Sequence, residues 1–216
     1  MKKFTGILFS VFILVTTSII SFSQVKVIIE HISSEEGISN NLIYCMTQDS
    51  KGFIWFGTMF GLVRYDGINY KTYRFDPLDS NSLSNDDIIS IYEDRDSNLW
   101  VGTYNGGINK FDRHKNIFVR YISNPDDPGS LSDNMVWTIF QDSKGVMWFG
   151  TENGGLNRLE NGNFLSFKND AANSESISGN NIRSIAEDGE GNLWIGTAGK
   201  GLNKFDPQKK TFTKYS

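Results

Sequence analysis

Ser84-Asn-Asp-Asp-Ile-Ile-Ser-Ile-Tyr-Glu-Asp94-Arg-Asp-Ser-Asn-Leu-Trp100-Val-Gly102-Thr103 is one of four copies of the same stretch. The other copies start at Ser39, Ser132 and Ser178. In each, an Asp follows ten residues after the Ser and a Trp six residues after that Asp: Asp49 and Trp55, Asp94 and Trp100, Asp142 and Trp148, Asp188 and Trp194. A Gly-Thr pair then closes each copy. The tryptophans are 45, 48 and 46 residues apart, so the chain is an array of units and not an ordinary single-core domain.

Each unit holds four short extended runs separated by turn residues. In the second unit these are Ile88 to Glu93, Leu99 to Thr103, Gly107 to Phe111 and Ile117 to Ile122, with tight turns at Asp94 to Asn98 and at Tyr104-Asn105-Gly106. No window shows helical periodicity. Four antiparallel strands per unit of this length predict an all-β fold of propeller blades, four blades of four strands each. The units run over residues 37–80, 81–128, 129–174 and 175–216, preceded by a lone strand and turn at residues 24–36.

The recurring slots fit that reading. One slot of the first strand is always small (Cys45, Ser90, Thr138, Ser184), as crowding near a central axis requires. Two slots stay apolar and are expected between blades: Ile43, Ile88, Val136, Ile182 and Met46, Ile91, Ile139, Ile185. The repeated Trp offers a large flat surface for sheet-on-sheet packing. The repeated Asp is expected to accept backbone N–H groups of its own turn. The Gly-Gly pairs at Gly106 and Gly154 supply the backbone freedom of the next hairpin.

Composition excludes several function classes. With 21 Lys and Arg against 25 Asp and Glu and no dense basic patch, the chain lacks the surface that nucleic acid requires. A single cysteine excludes an internal disulfide and a Cys-rich metal site. Lys2-Lys3, the apolar run from Ile7 to Ile20 and Ser21-Phe22-Ser23 read as a secretory signal peptide over residues 1–23, with cleavage before Gln24. The exported part then has no membrane span and is more acidic still.

The pattern Leu-Ser-x-Asn-x-Ile, then Asp-x-x-Gly-x-Leu-Trp-x-Gly-Thr, then Gly-Gly-Leu-Asn-x-Phe-Asp resembles the two-component regulator propeller repeat, from Gly37 to Ser216. That resemblance implies the periplasmic sensor region of a hybrid two-component histidine kinase, with seven-bladed rings and, in many relatives, a response to oligosaccharides. Phosphoacceptor and ATP-binding motifs are absent from these residues, so the kinase is implied only for a longer parent. The strand count sharpens the expectation. Val25–Ile32 occupies the place of a fourth strand, and four whole blades follow it, which leaves one strand surplus. The expected object is an incomplete seven-bladed ring, with further blades and a dimer partner supplied by the full-length sensor.

Candidate chemistry is sparse. His31 and His114 have no repeated carboxylate or Cys partner. Asp94-x-Asp96-x-Asn98 and Asp188-x-Glu190-x-Asn192 start like calcium loops but lack the closing Glu, and read as hairpin turns. Gly196 to Gly201 has the wrong spacing for a phosphate loop. No metal or cofactor is expected, and no catalytic set. What remains is where the copies disagree. One such slot holds Tyr44, Ile89, Trp137 and Arg183; the other, in the turn after Gly-Thr, holds Phe60, Tyr104, Glu152 and Ala198. Tyr44, Phe60, Tyr104, Trp137, Glu152 and Arg183 are therefore the expected ligand-binding residues. Aromatic rings there stack on sugar rings, while Arg and Glu bind hydroxyls or a carboxylate; the plainer alternative is that Tyr44 and Trp137 fill gaps between blades. The function expected is sensing of an oligosaccharide or other small polar ligand without catalysis. The alternatives are a propeller enzyme of lyase or glycosidase type, or a scaffold for protein contacts.

Overall fold

The computed structural model describes residues 42–215. The expected signal peptide, the Val25–Ile32 strand, His31 and Ser39 lie outside the described residues. Among the described residues, sixteen strands form four separate antiparallel sheets, each a meander of consecutive strands. Blade 1 comprises β1 (Ile43–Gln48), β2 (Ile54–Thr58), β3 (Gly61–Tyr65) and β4 (Tyr70–Tyr73). Blade 2 comprises β5 (Ile88–Glu93), β6 (Leu99–Thr103), β7 (Ile108–Asp112) and β8 (Ile117–Tyr121). Blade 3 comprises β9 (Val136–Gln141), β10 (Met147–Thr151), β11 (Leu156–Glu160) and β12 (Asn163–Phe167). Blade 4 comprises β13 (Ile182–Glu187), β14 (Leu193–Thr197), β15 (Gly201–Asp206) and β16 (Thr211–Tyr215). The first strand of each blade lies against the first strand of the next: β1 on β5, β5 on β9, β9 on β13. These are blades of a propeller, with their first strands innermost.

Among the described residues the core is three apolar interfaces, one between each pair of neighbouring blades. Between blades 1 and 2, Trp55, Leu62 and Tyr73 of the first meet Ile88, Leu99, Val101, Phe111 and Phe118 of the second. Trp100 and Ile108 repeat the arrangement against Val136, Ile139 and Phe149, and Trp148 and Leu156 against Ile182, Ile195 and Phe205. The repeated Trp thus faces the following blade, and the apolar slots of each first strand face the preceding one. Each fully buried Trp or Phe adds on the order of 1.5–3 kcal/mol through removal from water.

The Asp-to-Trp spacing has a single cause. Asp94 Oδ1 accepts the amides of Asp96 at 3.0 Å and Asn98 at 2.8 Å, which closes the β5–β6 turn, while Oδ2 accepts Trp100 Nε1 at 2.7 Å. Asp49, Asp142 and Asp188 do the same for Trp55, Trp148 and Trp194 at 2.7, 2.9 and 3.0 Å. One carboxylate therefore shapes the turn and orients the slab that packs on the next blade. The sequences resembling calcium loops are these turns.

The small slot also has a local cause, which corrects the expectation of crowding at the axis. Cys45, Ser90, Thr138 and Ser184 stand directly opposite Gly57, Gly102, Gly150 and Gly196 on the second strand. A Cβ on Gly150 would lie 2.6 Å from both Thr138 Cγ2 and Ile182 Cγ2, the latter in the next blade. Small residue and glycine together let the next inner strand approach, and Ser90 Oγ donates 2.8 Å to Val136 O across that gap. The Cys45 thiol, pushed up to about 12 by burial despite a backbone hydrogen bond from Gly57, is inert filler in this slot.

The Gly-Leu-Asn element and the leading Ser also meet. Asn109, Asn157 and Asn203 are fully buried on the third strands. Asn109 accepts the Ser84 amide at 2.9 Å and donates to Ser84 Oγ at 2.8 Å, and Asn203 repeats both bonds with Ser178. This network ties each interblade linker to its own blade.

Candidate functional site

The register of every first pair slips at one place: between Ile43 and Cys45, Ile88 and Ser90, and Ile182 and Ser184, with Val136 and Thr138 opposite the slip at Gly150 and Thr151. The extra residue in each case is Tyr44, Ile89, Trp137 or Arg183. The first varying slot is thus a β-bulge on the innermost strand, where a side chain leaves the regular alternation and is re-aimed.

The second varying slot is the β2–β3, β6–β7, β10–β11 and β14–β15 turn, and the meander puts it at the same end of the blades as the bulge. Two backbone bonds hold each central turn. Tyr104 N donates to Asp87 O at 2.9 Å within its blade, and Gly107 N to Asn134 O at 2.8 Å in the next linker. Glu152 N donates to Met135 O at 3.0 Å, and Gly155 N to Asn180 O at 3.0 Å. Thr103 and Thr151 hydroxyls close these turns on Gly107 O and Gly155 O at 3.0 and 2.9 Å. At Gly107 and Gly155, φ values of 74° and 79° place the backbone where a side chain is strained.

On this platform four of the expected residues come together. Glu152 Oε2 accepts a short hydrogen bond from Trp137 Nε1 and one of 2.9 Å from Arg183 Nη2, reaching over from blade 4. The Arg183 guanidinium lies 3.7 Å from the centroid of the Trp137 ring. Tyr104 of blade 2 presents its ring to the same indole, 6.4 Å away at an interplanar angle of 85°. Arg183 and Tyr104 remain well exposed while Trp137 is half-buried beneath the guanidinium, so a cation and an aromatic ring face solvent together. Tyr44 and Phe60 occupy the equivalent slots on blade 1, both exposed; among the described residues no hydrogen bond or ring contact joins their side chains to the cluster.

The slot just before each first strand, which holds Leu42, Asp87, Met135 and Asn181, is missing from the sequence expectation. Asn181 Nδ2 donates to Glu152 Oε1 at 2.8 Å, which completes the carboxylate's set of donors from two blades. Asn181 Oδ1 and Asp87 Oδ1 are buried and accept no hydrogen bond. Burial pushes the Asp87 carboxyl above the usual carboxylate range. The signal was available, because this slot varies among the copies just as the bulge does.

A cleft of about 440 Å³ lies at the opposite end of the blades, lined by Lys51, Asp96, Lys110, Arg113 and His114 among others. Its central cation is spent on the frame. Arg113 bonds Asp49 at 2.7 Å and Glu93 at 2.8 Å, joining blades 1 and 2. Among the described residues, no group of three or more His, Cys, Asp or Glu side chains is arranged to hold a metal ion. An exposed tyrosine ring and an arginine stacked on a half-buried indole, on a rigid rim, suit stacking on a ring and hydrogen bonding to its substituents.

The family model of the two component regulator propeller matches residues 37–60, 82–105, 130–153 and 176–199. A 49-residue stretch is 41% identical to histidine kinase P4 of Formosa agariphila, covering 23% of this chain and 4% of that protein. The extracellular domain of BT3049 from B. thetaiotaomicron, described as a hybrid two component system, superposes with a TM-score of 0.78 at 27% identity over 87% of this chain. That of BT4673 from the same organism does so with a TM-score of 0.64 at 31% identity over 80% of this chain. The chain spans only 26% and 24% of those two domains. Virginiamycin B lyase of Staphylococcus aureus, at 18% identity and a TM-score of 0.59, shares the fold alone.

Proposed function

The chain belongs to the two-component regulator propeller family, and from that premise we propose that it is an extracytoplasmic ligand-sensing segment of a two-component sensor. Its likeness to extracellular sensor domains and its signal-peptide-like start support placement outside the cytoplasm. The ligand is an oligosaccharide or other small polar molecule, held at the rim without being transformed, and in a longer sensor further blades and a dimer partner relay its binding.

One observation carries this reading: the side chains that differ from blade to blade converge at the rim. Trp137, Arg183, Asn181 and Glu152 form one interblade cluster although the frame makes no use of them. Glu152 takes an N–H edge of the Arg183 guanidinium while Trp137 covers one of its faces, and the Glu152 and Asp87 carboxyls disfavour a further anion nearby. A neutral sugar therefore fits better than a uronate or sulfated chain.

The test is calorimetric titration of the purified chain with neutral, uronate and sulfated oligosaccharides of matched length. Saturable binding of a neutral sugar, weakened at least about tenfold in Trp137→Ala, is the expected result. Binding that ignores Trp137 and Arg183 substitutions would refute the site. Turnover of the sugar, seen as new reducing ends or unsaturated products, would replace sensing by the enzyme reading.

A further inference from the structure

The copies also depart from one another at the end of the blades away from the rim, where the cleft of about 440 Å³ lies. The Asp turns of blades 1, 3 and 4 hold Gly52, Gly145 and Gly191 at φ values of 87°, 85° and 82°. Blade 2 holds Ser97 in that place, at φ 62°. A side chain enters this backbone region at a cost, and residues kept there concentrate at sites of function. Ser97 Oγ lies 3.2 Å from Ser50 Oγ of blade 1, and the Ser97 carbonyl accepts Arg113 Nε at 2.9 Å. The two Asp turns and the β7–β8 turn are thereby fastened into one wall of the cleft.

The charges along this cleft are unevenly matched. Arg113 is neutralised by Asp49 and Glu93, and Asp112 accepts the amides of His114 and Lys115 and lies 3.8 Å from the Lys115 ammonium. Lys51, Lys110 and His114 line the cleft, and among the described residues no carboxylate forms an ion pair with any of the three. Lys110 Nζ stands instead 5.1 Å from the centroid of the Trp100 ring. The Asp96 side chain lines the cleft too, with neither an ion pair nor a hydrogen bond among the described residues. Blade 4 provides the contrast. Lys204, in the slot of Lys110, bonds Asp188 at 3.2 Å and Glu190 at 3.5 Å, and the matching cleft there measures only about 200 Å³.

We infer that this cleft is a second binding site, one that takes a small hydroxylated carboxylate. Two lysines without carboxylate partners outweigh the single free Asp96, and that excess selects an anion. Asp96 in turn repels a bare anion and accepts hydrogen bonds, so the ligand brings hydroxyl donors on the same molecule as its negative group. Val119 and Tyr121 give the cleft an apolar side on which a carbon ring rests. Its volume of about 440 Å³ falls among small-molecule sites, which span about 300–1,000 Å³. All of these residues belong to blades 1 and 2, and none takes part in the rim cluster, whose chemistry favours a neutral sugar.

Calorimetric titration of the purified chain with three ring compounds of similar size tests this: D-glucuronate carries both groups, D-glucose the hydroxyls alone, and cyclohexanecarboxylate the carboxylate alone. Glucuronate should bind saturably, at least about tenfold more tightly than either of the others, and more weakly as added salt screens the lysines. Lys51→Met and Lys110→Met keep the apolar stem and remove the charge. Each should weaken glucuronate at least about tenfold, with circular dichroism and melting temperature close to those of the parent. Asp96→Asn should shrink the preference for glucuronate over cyclohexanecarboxylate at least about threefold, a ratio that a merely structural role would leave unchanged. Absence of saturable glucuronate binding overturns the inference, as does glucose binding as tightly as glucuronate. Glucuronate binding that is lost in Trp137→Ala yet indifferent to both lysine substitutions places the acid at the rim and overturns it as well. Failure of the rim to hold a neutral sugar alters none of these outcomes.

Discussion

Replacing Asp142 by Ala probes the bond that links turn to interface. Asp142 is 4% exposed and Trp148 fully buried, in the third blade, where both neighbours are present. The substitution removes acceptors for the Lys144 amide at 3.0 Å, the Val146 amide at 2.9 Å and Trp148 Nε1 at 2.9 Å. Water reaches the two turn amides and recovers part of that loss. It does not reach the indole N–H, which bears the full cost of an unmet buried donor, about 1–3 kcal/mol. Adding the lost charge-assisted bonds in the turn gives about 3–5 kcal/mol, a large share of the roughly 5–15 kcal/mol that holds a domain together. Urea unfolding followed by far-ultraviolet circular dichroism measures it without relying on the perturbed tryptophan. Trp148→Phe supplies the control, since Phe has no N–H to strand. In the Asp142→Ala background it should cost about 1–2 kcal/mol less than in the parent. A cost below about 1 kcal/mol for Asp142→Ala, or additivity of the two substitutions within about 0.5 kcal/mol, would refute the argument.

Gly150→Ala should destabilise by about 2 kcal/mol, since its Cβ meets two branched side chains at 2.6 Å, while Gly189→Ala, with open space around it, stays within about 0.5 kcal/mol in the same urea assay. Asp87→Asn should raise the melting temperature at pH 7 by a few degrees and leave it unchanged near pH 3 in scanning calorimetry. Burial raises the folded pKa of Asp87 above its unfolded value near 3.9, so its destabilising effect is absent below that value and grows as pH rises through the folded one. Asp49 has the opposite sign. Burial pushes its carboxyl up, but bonds from Trp55, Arg113 and the Phe53 amide outweigh burial and hold it below the ordinary range. Its contribution is therefore present above about pH 4 and lost as pH falls through the lower folded value. The urea midpoint should drop below about pH 4, and drop less steeply in Asp49→Asn.

Much of the fold was legible because the frame repeats. Ile88 to Glu93 and Leu99 to Thr103 are strands with the boundaries that the turn residues mark, and the Asp turn is the expected acceptor turn. What repetition hides is the partner of each repeated residue. That the second oxygen of Asp94 holds Trp100, or that Asn109 holds Ser84, depends on distances across strands that no spacing rule supplies. The reason for the small slot was misjudged likewise: Ser90 answers to Gly102 and to the next blade. In the site, Trp137, Glu152, Arg183 and Tyr104 were visible as departures from the repeat. Asn181 was missed because Asn is common in such linkers, and only its bond to Glu152 separates it from the others.

The bulge explains why the rim is free to differ while the frame is not. A regular position on β9 has a cross-strand partner on β10, and most face a neighbouring blade, so its identity is constrained by both. Trp137 is the extra residue of the strand, with no partner in the register, and Tyr44, Ile89 and Arg183 share that freedom on their own strands. Exchanging one for another removes no ladder bond. The turn slot is free for a related reason: its backbone is held by bonds from Tyr104 N and Glu152 N, which any side chain permits. A rigid backbone carrying unconstrained side chains is what recognition of a ligand requires, and here the strand that lines the centre of the array provides it in every blade.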